Sequence, residues 1–239
     1  MADIKGNGIG LKDIGLQLGQ HSFAFDCEAP GGCVTVIAGP SGSGKSTLLN
    51  LVAGFEQPDQ GQVLIAGVDV TRIHPSDRPV SLVFQDNNLF GHLDLFTNVG
   101  LGIDPSLRLR ASDKVAVSSA LERVGLGGFE KRRPPTLSGG ERQRAAFARA
   151  LVRRKPVLLL DEPFAALDPG LRSDMAELLL DLHRETGNTV LIVSHDPKEV
   201  ANIGDHVLFV DEGKVALSAS IDEFMAHDIL PVVKRFLGH

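Results

Sequence analysis

The chain has 239 residues, with 24 Lys and Arg against 30 Asp and Glu, a formal net charge of −6, and 43% hydrophobic side chains. That is enough to bury a substantial core, as one large domain or two small ones, and too apolar for a disordered chain. The acidic balance does not favour nucleic acid or anionic lipid, and the densest basic stretch, from Lys131-Arg132-Arg133 to Lys155, reads as a solvated helix face with some ion pairing.

The amino terminus, Met1-Ala-Asp-Ile-Lys-Gly6, lacks an apolar signal core, and no run approaches the roughly 18 apolar residues of a spanning helix. A cytosolic or membrane-peripheral protein is expected, with any spans supplied by another chain. From about Ile9 to Glu28 alternating β-formers predict a hairpin or short sheet. Cys27 and Cys33 flank the turn Pro30-Gly31-Gly32; their spacing matches no metal pattern, and they read as small apolar side chains in a reducing compartment.

The apolar stretch Cys33 to Ala38 runs into Gly39-Pro-Ser-Gly-Ser-Gly-Lys-Ser-Thr47, which fits G-x-x-x-x-G-K-[ST]. Glycines at 39, 42 and 44 let successive amides turn inward around phosphates, Lys45 adds a point charge, and Ser46 offers a hydroxyl to Mg2+. The helix that starts here, ending near Gly54, aims its positive end at the anion. Strands are expected at Val63 to Ile65 and Val80 to Phe84. Helices follow at Ser112 to Val124 and Glu141 to Arg153, within a helical insertion from Asp86 to about Lys155.

Strand character returns at Val157 to Leu160, followed by a helix from about Leu171 to Glu185, a strand Thr189 to Val193, and a tail of one or two short helices from Ile221, interrupted by Pro231. Alternating strands and helices imply a parallel sheet covered on both faces, with ligands at the carboxyl ends of its strands. The loop at 39–47, the pair Asp161-Glu162 and Ser194-His195 all stand at such ends. Asp161 suits a metal site, and Glu162 beside it suits polarising a water, which favours hydrolysis over transfer. Leu137-Ser-Gly-Gly-Glu-Arg-Gln-Arg144 forms a second helix start with exposed amides. One cradled nucleotide has no use for it within the same molecule; two copies head to tail do, each capping the nucleotide of the other.

Together these residues resemble the ATP-binding subunits of ABC transporters along nearly the whole chain. Gly39 to Thr47 is similar to the family's Walker A, Gln85 to its Q-loop glutamine and Leu137 to Gln143 to its signature. Val157 to Glu162 is similar to its Walker B with catalytic glutamate, Ala166-Leu167-Asp168 to its D-loop, and His195 to its switch histidine. The resemblance implies an α/β fold: a P-loop NTPase core with an amino-terminal antiparallel β subdomain and an inserted helical subdomain. It implies a single ABC ATPase domain over residues 1–239, with the nucleotide-binding core at 1–85 and 156–239 and the signature-bearing helical subdomain at 86–155.

ATP and Mg2+ follow from the same resemblance. It implies phosphate binding by Gly39, Pro40, Ser41, Gly42, Ser43, Gly44, Lys45, Ser46 and Thr47, and Mg2+ at Ser46, Gln85 and, through water, Asp161. Glu162, His195 and Gln85 take the catalytic roles, while Ser138, Gly139, Gly140 and Asp168 complete the site of a second copy. The family's adenine-stacking aromatic, often Tyr, has no direct counterpart, because the chain contains no Tyr and no Trp; His21, Phe23 and Phe25 are the substitutes.

One cassette without spanning helices or long heptads is what the family's separate motor subunits have, docking on transmembrane permease subunits that an extracytoplasmic substrate-binding protein serves. Arg78 to Leu93 and Asn98 to Gly102 resemble bacterial importers of this kind and, notably at Phe84 to Phe90 and Asn98 to Gly102, the thiamine-importing branch among them. The implied placement is peripheral, on the cytoplasmic face of the inner membrane. Motors of iron, sulfate or polyamine importers are the nearest alternative, and a soluble P-loop kinase or switch a more distant one with no use for residues 137–141. Leu89, Phe90, Leu93, Leu95 and Phe96 are candidates for a groove that receives a permease helix, with Phe90 the preferred contact.

Overall fold

The computed structural model describes residues 8–84, 88–165, 167–226 and 230–238. In chain order, β1 (Ile9–Leu18) and β2 (His21–Ala29) form the expected hairpin, and β3 (Val34–Ala38) runs through the glycine-rich loop into α1 (Lys45–Ala53). Next come β4 (Gln60–Ile65), β5 (Val68–Asp69), β6 (Val80–Val83), α2 (Leu95–Gly100), α3 (Ala111–Arg123) and α4 (Gly139–Val152). The chain continues through β7 (Val157–Asp161), α5 (Pro169–Thr186), β8 (Thr189–Val193) and α6 (Pro197–Ile203). It finishes with β9 (His206–Asp211), β10 (Lys214–Ser220), α7 (Ile221–Met225) and α8 (Pro231–Leu237).

Two compact units emerge: one from the segment ending at Val80, Pro156–Glu162 and the segment from His183, the other from Ser81–Lys155 and Pro163–Leu182. Within the first, the strand order is β5-β4-β1-β2-β10-β9-β3-β8-β7. β9, β3, β8 and β7 are parallel, and β3 and β8 are buried at every residue. Their apolar, β-branched composition suits strands covered on both faces. β1 instead mixes buried and exposed positions and pairs antiparallel with β2 and β4, its register shifting where Asp13 adopts a φ of 51°. The tail packs Phe224 and Phe236 against Phe209 of β9, with ring centroids 5.8 and 5.4 Å away.

The second unit has a core that includes Leu95, Val99, Val117, Leu121 and Phe147, and small Ala145, Ala146 and Ala148 let α4 pack closely within it. Buried Asn98 organises the preceding loop: its Nδ2 donates to the carbonyls of Phe90, Leu93 and Asp94, and its Oδ1 accepts from Phe90 N at 2.8 Å.

Three details depart from the sequence expectations. Pro231 does not interrupt a helix but opens α8 at its first turn, where the missing N–H is no loss. Leu95 is fully buried and so lines no groove. The hairpin β9–β10 and the short helices α2 and α6 were not expected from the sequence; the short apolar run His206 to Asp211 and the turn Glu212-Gly213 were the available signals.

Candidate functional site

Strand register brings the first group of predicted residues together. Ile37 of β3 stands opposite Val193 of β8, and Val193 opposite Asp161 of β7. The three strands are parallel and end level, so Gly39, His195 and Glu162 leave the sheet along one edge. Glycines shape the loop that follows β3. Gly39, Gly42 and Gly44 have φ of 144°, 78° and 107°, and a Cβ on Gly39 would lie 2.1 Å from the Val210 carbonyl oxygen.

The β9–β10 turn supports this loop from below: Gly213 N donates to the Ser43 carbonyl at 2.9 Å. These contacts from Val210 and Gly213 are not visible as a motif. Gly44 carries the last turn into α1, and a Cβ there would meet the Phe23 ring at 2.8 Å. Of the three substitutes for the adenine-stacking aromatic, Phe25 is only 1% exposed and has no face to offer, whereas Phe23 is half-buried against the loop and His21 is exposed.

Lys45 is buried, and its ammonium donates to the carbonyls of Gly39 and Pro40 at 2.9 and 2.7 Å. Burial lowers its pKa, while the charges of Glu162 and Asp161 work in the opposite direction. Ser46 Oγ donates to Asp161 Oδ1 at 3.2 Å, and burial raises the Asp161 pKa against that hydrogen bond and Lys45. A hydroxyl and a carboxylate so placed are hard oxygen donors of the kind Mg2+ takes, with its remaining positions filled by water and phosphate. No cluster of three or more His, Cys, Asp or Glu suited to a metal occurs among the described residues.

Glu162 has a left-handed φ of 46°, a conformation that costs a side-chain-bearing residue about 1–2 kcal/mol and turns the chain sharply out of β7. His195 Nδ1 lies 3.2 Å from Glu162 Oε1. The histidine's own loop is held on both sides: Ser194 Oγ donates to Glu199 at 2.5 Å, and Asp196 caps α6 through Lys198 N at 2.9 Å. Gln85 and Ala166 lie outside the described residues.

The second unit presents Ser138 as the cap of α4. Ser138 Oγ accepts from Glu141 N at 3.2 Å, and Glu141 Oε2 accepts from Ser138 N at 2.7 Å. The amides of Gly139 and Gly140 lie outside this reciprocal pair. The Ser138 backbone hydrogen bond holds the Glu141 carboxyl below its usual pKa. Gly140 is close-packed: a Cβ there would fall 3.0 Å from Leu171 and 3.1 Å from Leu167. Asp168 Oδ1 accepts from Leu171 N at 3.0 Å, so Gly140 and Asp168 share one corner of this unit. Phe90 is 49% exposed on the loop that Asn98 holds.

Residues 24–165 match the family model described as ABC transporter. The chain belongs to the ABC transporter family. Curated relatives of this ABC cassette include the thiamine import ATP-binding protein ThiQ of Rhizobium meliloti (strain 1021), 52% identical over 231 residues and covering 97% of each chain. ThiQ of Mesorhizobium japonicum is 54% identical over 234 residues, 98% of this cassette and 92% of the relative. Among solved structures, the dimeric post-hydrolysis state of the ATP-binding cassette MJ0796 bound to ADP and Pi superposes with a TM-score of 0.81 at 29% identity, over 89% of this cassette and 98% of that one. An Atm1-family ABC exporter with ATP bound gives 0.84 at 25% identity, over 98% of this cassette and 42% of the exporter chain.

Proposed function

We propose that this ABC cassette is the ATP-hydrolysing motor subunit of a bacterial thiamine importer, acting on a separate permease from the cytoplasmic face of the membrane. The observation that carries the ATPase is the common edge where β3, β7 and β8 end in register, followed by the loop that leads to Lys45 and Ser46, by Asp161 and Glu162, and by His195. Near full-length identity above one half to two thiamine import ATP-binding proteins supports the cargo. No described helix is long and apolar enough to cross a membrane.

The loop amides of residues 39–47 and the Lys45 ammonium hold the β- and γ-phosphates of ATP, and Phe23 packs against the adenine. Ser46, Asp161 through water, and Gln85 would hold Mg2+, which supplies charge neutralisation at those phosphates. The Glu162 carboxylate orients and polarises the attacking water and takes up its proton. His195, 3.2 Å from that carboxylate, contacts the γ-phosphate and balances charge as the bond breaks.

Ser138, Gly139 and Gly140 of a second copy donate to the same γ-phosphate, and Asp168 couples the two sites. The functional division is a nucleotide-binding core at 1–85 and 156–239 with a helical subdomain at 86–155. ATP closes the pair, Phe90 transmits the movement to a permease helix, and hydrolysis with product release reopens it.

Uptake into vesicles reconstituted with the cassette, its permease and the binding protein tests the cargo. Labelled thiamine and thiamine phosphates should accumulate with ATP, while iron, sulfate and polyamines should not; the reverse pattern would reassign the importer. ATPase activity of the purified chain should rise with the square of its concentration, whereas first-order activity of a lasting monomer would remove the composite site and favour a P-loop kinase or switch.

A further inference from the structure

Arg78 is the bulkiest fully buried side chain among the described residues, at 0% exposure. A buried cation ordinarily finds a carboxylate. The Arg78 guanidinium instead donates to four main-chain carbonyls: Leu51 at 2.7 Å and Val52 at 2.9 Å through Nη1, Ile73 at 3.0 Å through Nε, and Thr71 at 3.1 Å through Nη2. Burial lowers its pKa, with the charge of Asp69 working the other way.

Leu51 and Val52 belong to the last turn of α1, whose carbonyls have no partner within the helix and carry the negative end of its dipole. That helix has no basic residue of its own in this turn. Arg78, more than twenty residues away in the chain, therefore both satisfies the orphan acceptors and complements the dipole. Gly54, the left-handed cap of α1 with φ of 88°, makes room for it, since a Cβ there would lie 2.5 Å from Arg78 Nε. α1 has only nine residues and is about 13 Å long, with this buried clamp on its last turn and Lys45 and Ser46 on its first. A short, stiff rod held at its far end transmits any tilt there to its near end.

We propose that Arg78 is a positioning residue for the phosphate loop, setting through α1 how Lys45, Ser46 and the loop amides face the nucleotide phosphates. The inference rests on residues 39–47 being the phosphate site. Displacement of a positioned group by a fraction of an ångström to one ångström commonly costs one to two orders of magnitude. Arg78→Lys keeps the charge but cannot reach four carbonyls in the fork geometry.

The test is calorimetric titration of the full-length chain with MgADP and MgATP, alongside thermal melts without nucleotide. Arg78→Lys and Arg78→Met should weaken both nucleotides by the same factor, roughly tenfold or more, in protein that is folded at the titration temperature. Gly54→Ala, which crowds the same guanidinium from the opposite side, should also weaken MgADP, and the double variant Gly54→Ala with Arg78→Met should fall short of the product of the single effects. A merely structural role would lower the melting midpoint and leave the dissociation constant of the folded protein unchanged. Arg78→Lys binding MgADP as the wild type does would overturn the inference, even if Arg78→Met fails to fold. Lys45→Ala separates the two levels: wild type that binds MgADP only weakly, or binding that Lys45→Ala leaves intact, removes the phosphate-loop assignment itself and Arg78's role with it.

Discussion

Gly39 and Gly42 share a loop and a positive φ, 144° and 78°, but not their surroundings. A methyl group on Gly39 would lie 2.1 Å from the Val210 carbonyl oxygen and 3.1 Å from Ser43 Oγ, whereas one on Gly42 would meet nothing within 4 Å. Alanine at either position costs about 1–2 kcal/mol for the left-handed backbone. At Gly39 it must also open the loop from β9 by about 1 Å, a further cost of about 1–3 kcal/mol because the obstacle is main chain within a sheet.

The difference, about 2 kcal/mol, corresponds to a separation of roughly 4–8 °C between the two melting midpoints for a chain of this size. Differential scanning of the purified variants without nucleotide reads it directly. Their ATPase rates should diverge further, because a shift of about 1 Å in the cradle costs on the order of a hundredfold in turnover. Equal midpoints would refute the claim that the Val210 carbonyl is a rigid stop beneath the loop.

Glu162→Gln should retain ATP binding, lower hydrolysis by on the order of 100-fold or more, and shift the chain toward a closed dimer in size-exclusion chromatography; unchanged turnover would remove Glu162 as the base. Phe90→Asp should leave the ATPase of the assembled importer active while abolishing thiamine uptake, and intact uptake would place the permease contact elsewhere. Burial first, then Asp26 and Glu28, pushes the Cys27 thiol from 9.0 up to about 12. The folded state therefore binds the extra proton between pH 9 and about 12, so the stability it contributes is full below pH 9 and is lost as pH rises toward 12. The loss is at most about 1.4 kcal/mol per pH unit. Cys27→Ala should flatten this alkaline limb in urea titrations, and an unchanged slope between the two proteins would refute the linkage.

The glycine-rich loop between β3 and α1 was legible in the sequence because G-x-x-x-x-G-K-[ST] sets its glycines, lysine and hydroxyl at fixed spacing between a strand and a helix. The edge at which Glu162 and His195 join it followed from apolar runs that end at Asp161 and Val193. What surrounds the loop was not legible. Val210 and Gly213 act through a carbonyl oxygen and an amide, which every residue possesses, so no side-chain pattern marks them. Arg78 reads as a surface charge until four carbonyls from two separate segments of the chain, 51–52 and 71–73, are seen to converge on it. Leu95 and Phe96 were equivalent as candidates for the permease groove, but periodicity over the six residues of α2 is too short to tell which faces inward.

Lys45 is already solvated by the protein, its ammonium resting on the carbonyls of Gly39 and Pro40. In the proposed role, nucleotide binding at this position would exchange one pair of oxygens for another rather than capture a cation from water. The reverse exchange is equally ready when the spent nucleotide departs. In the proposed role, departure of the nucleotide would therefore leave no bare, buried ammonium behind, because the carbonyls of Gly39 and Pro40 are in place to receive it.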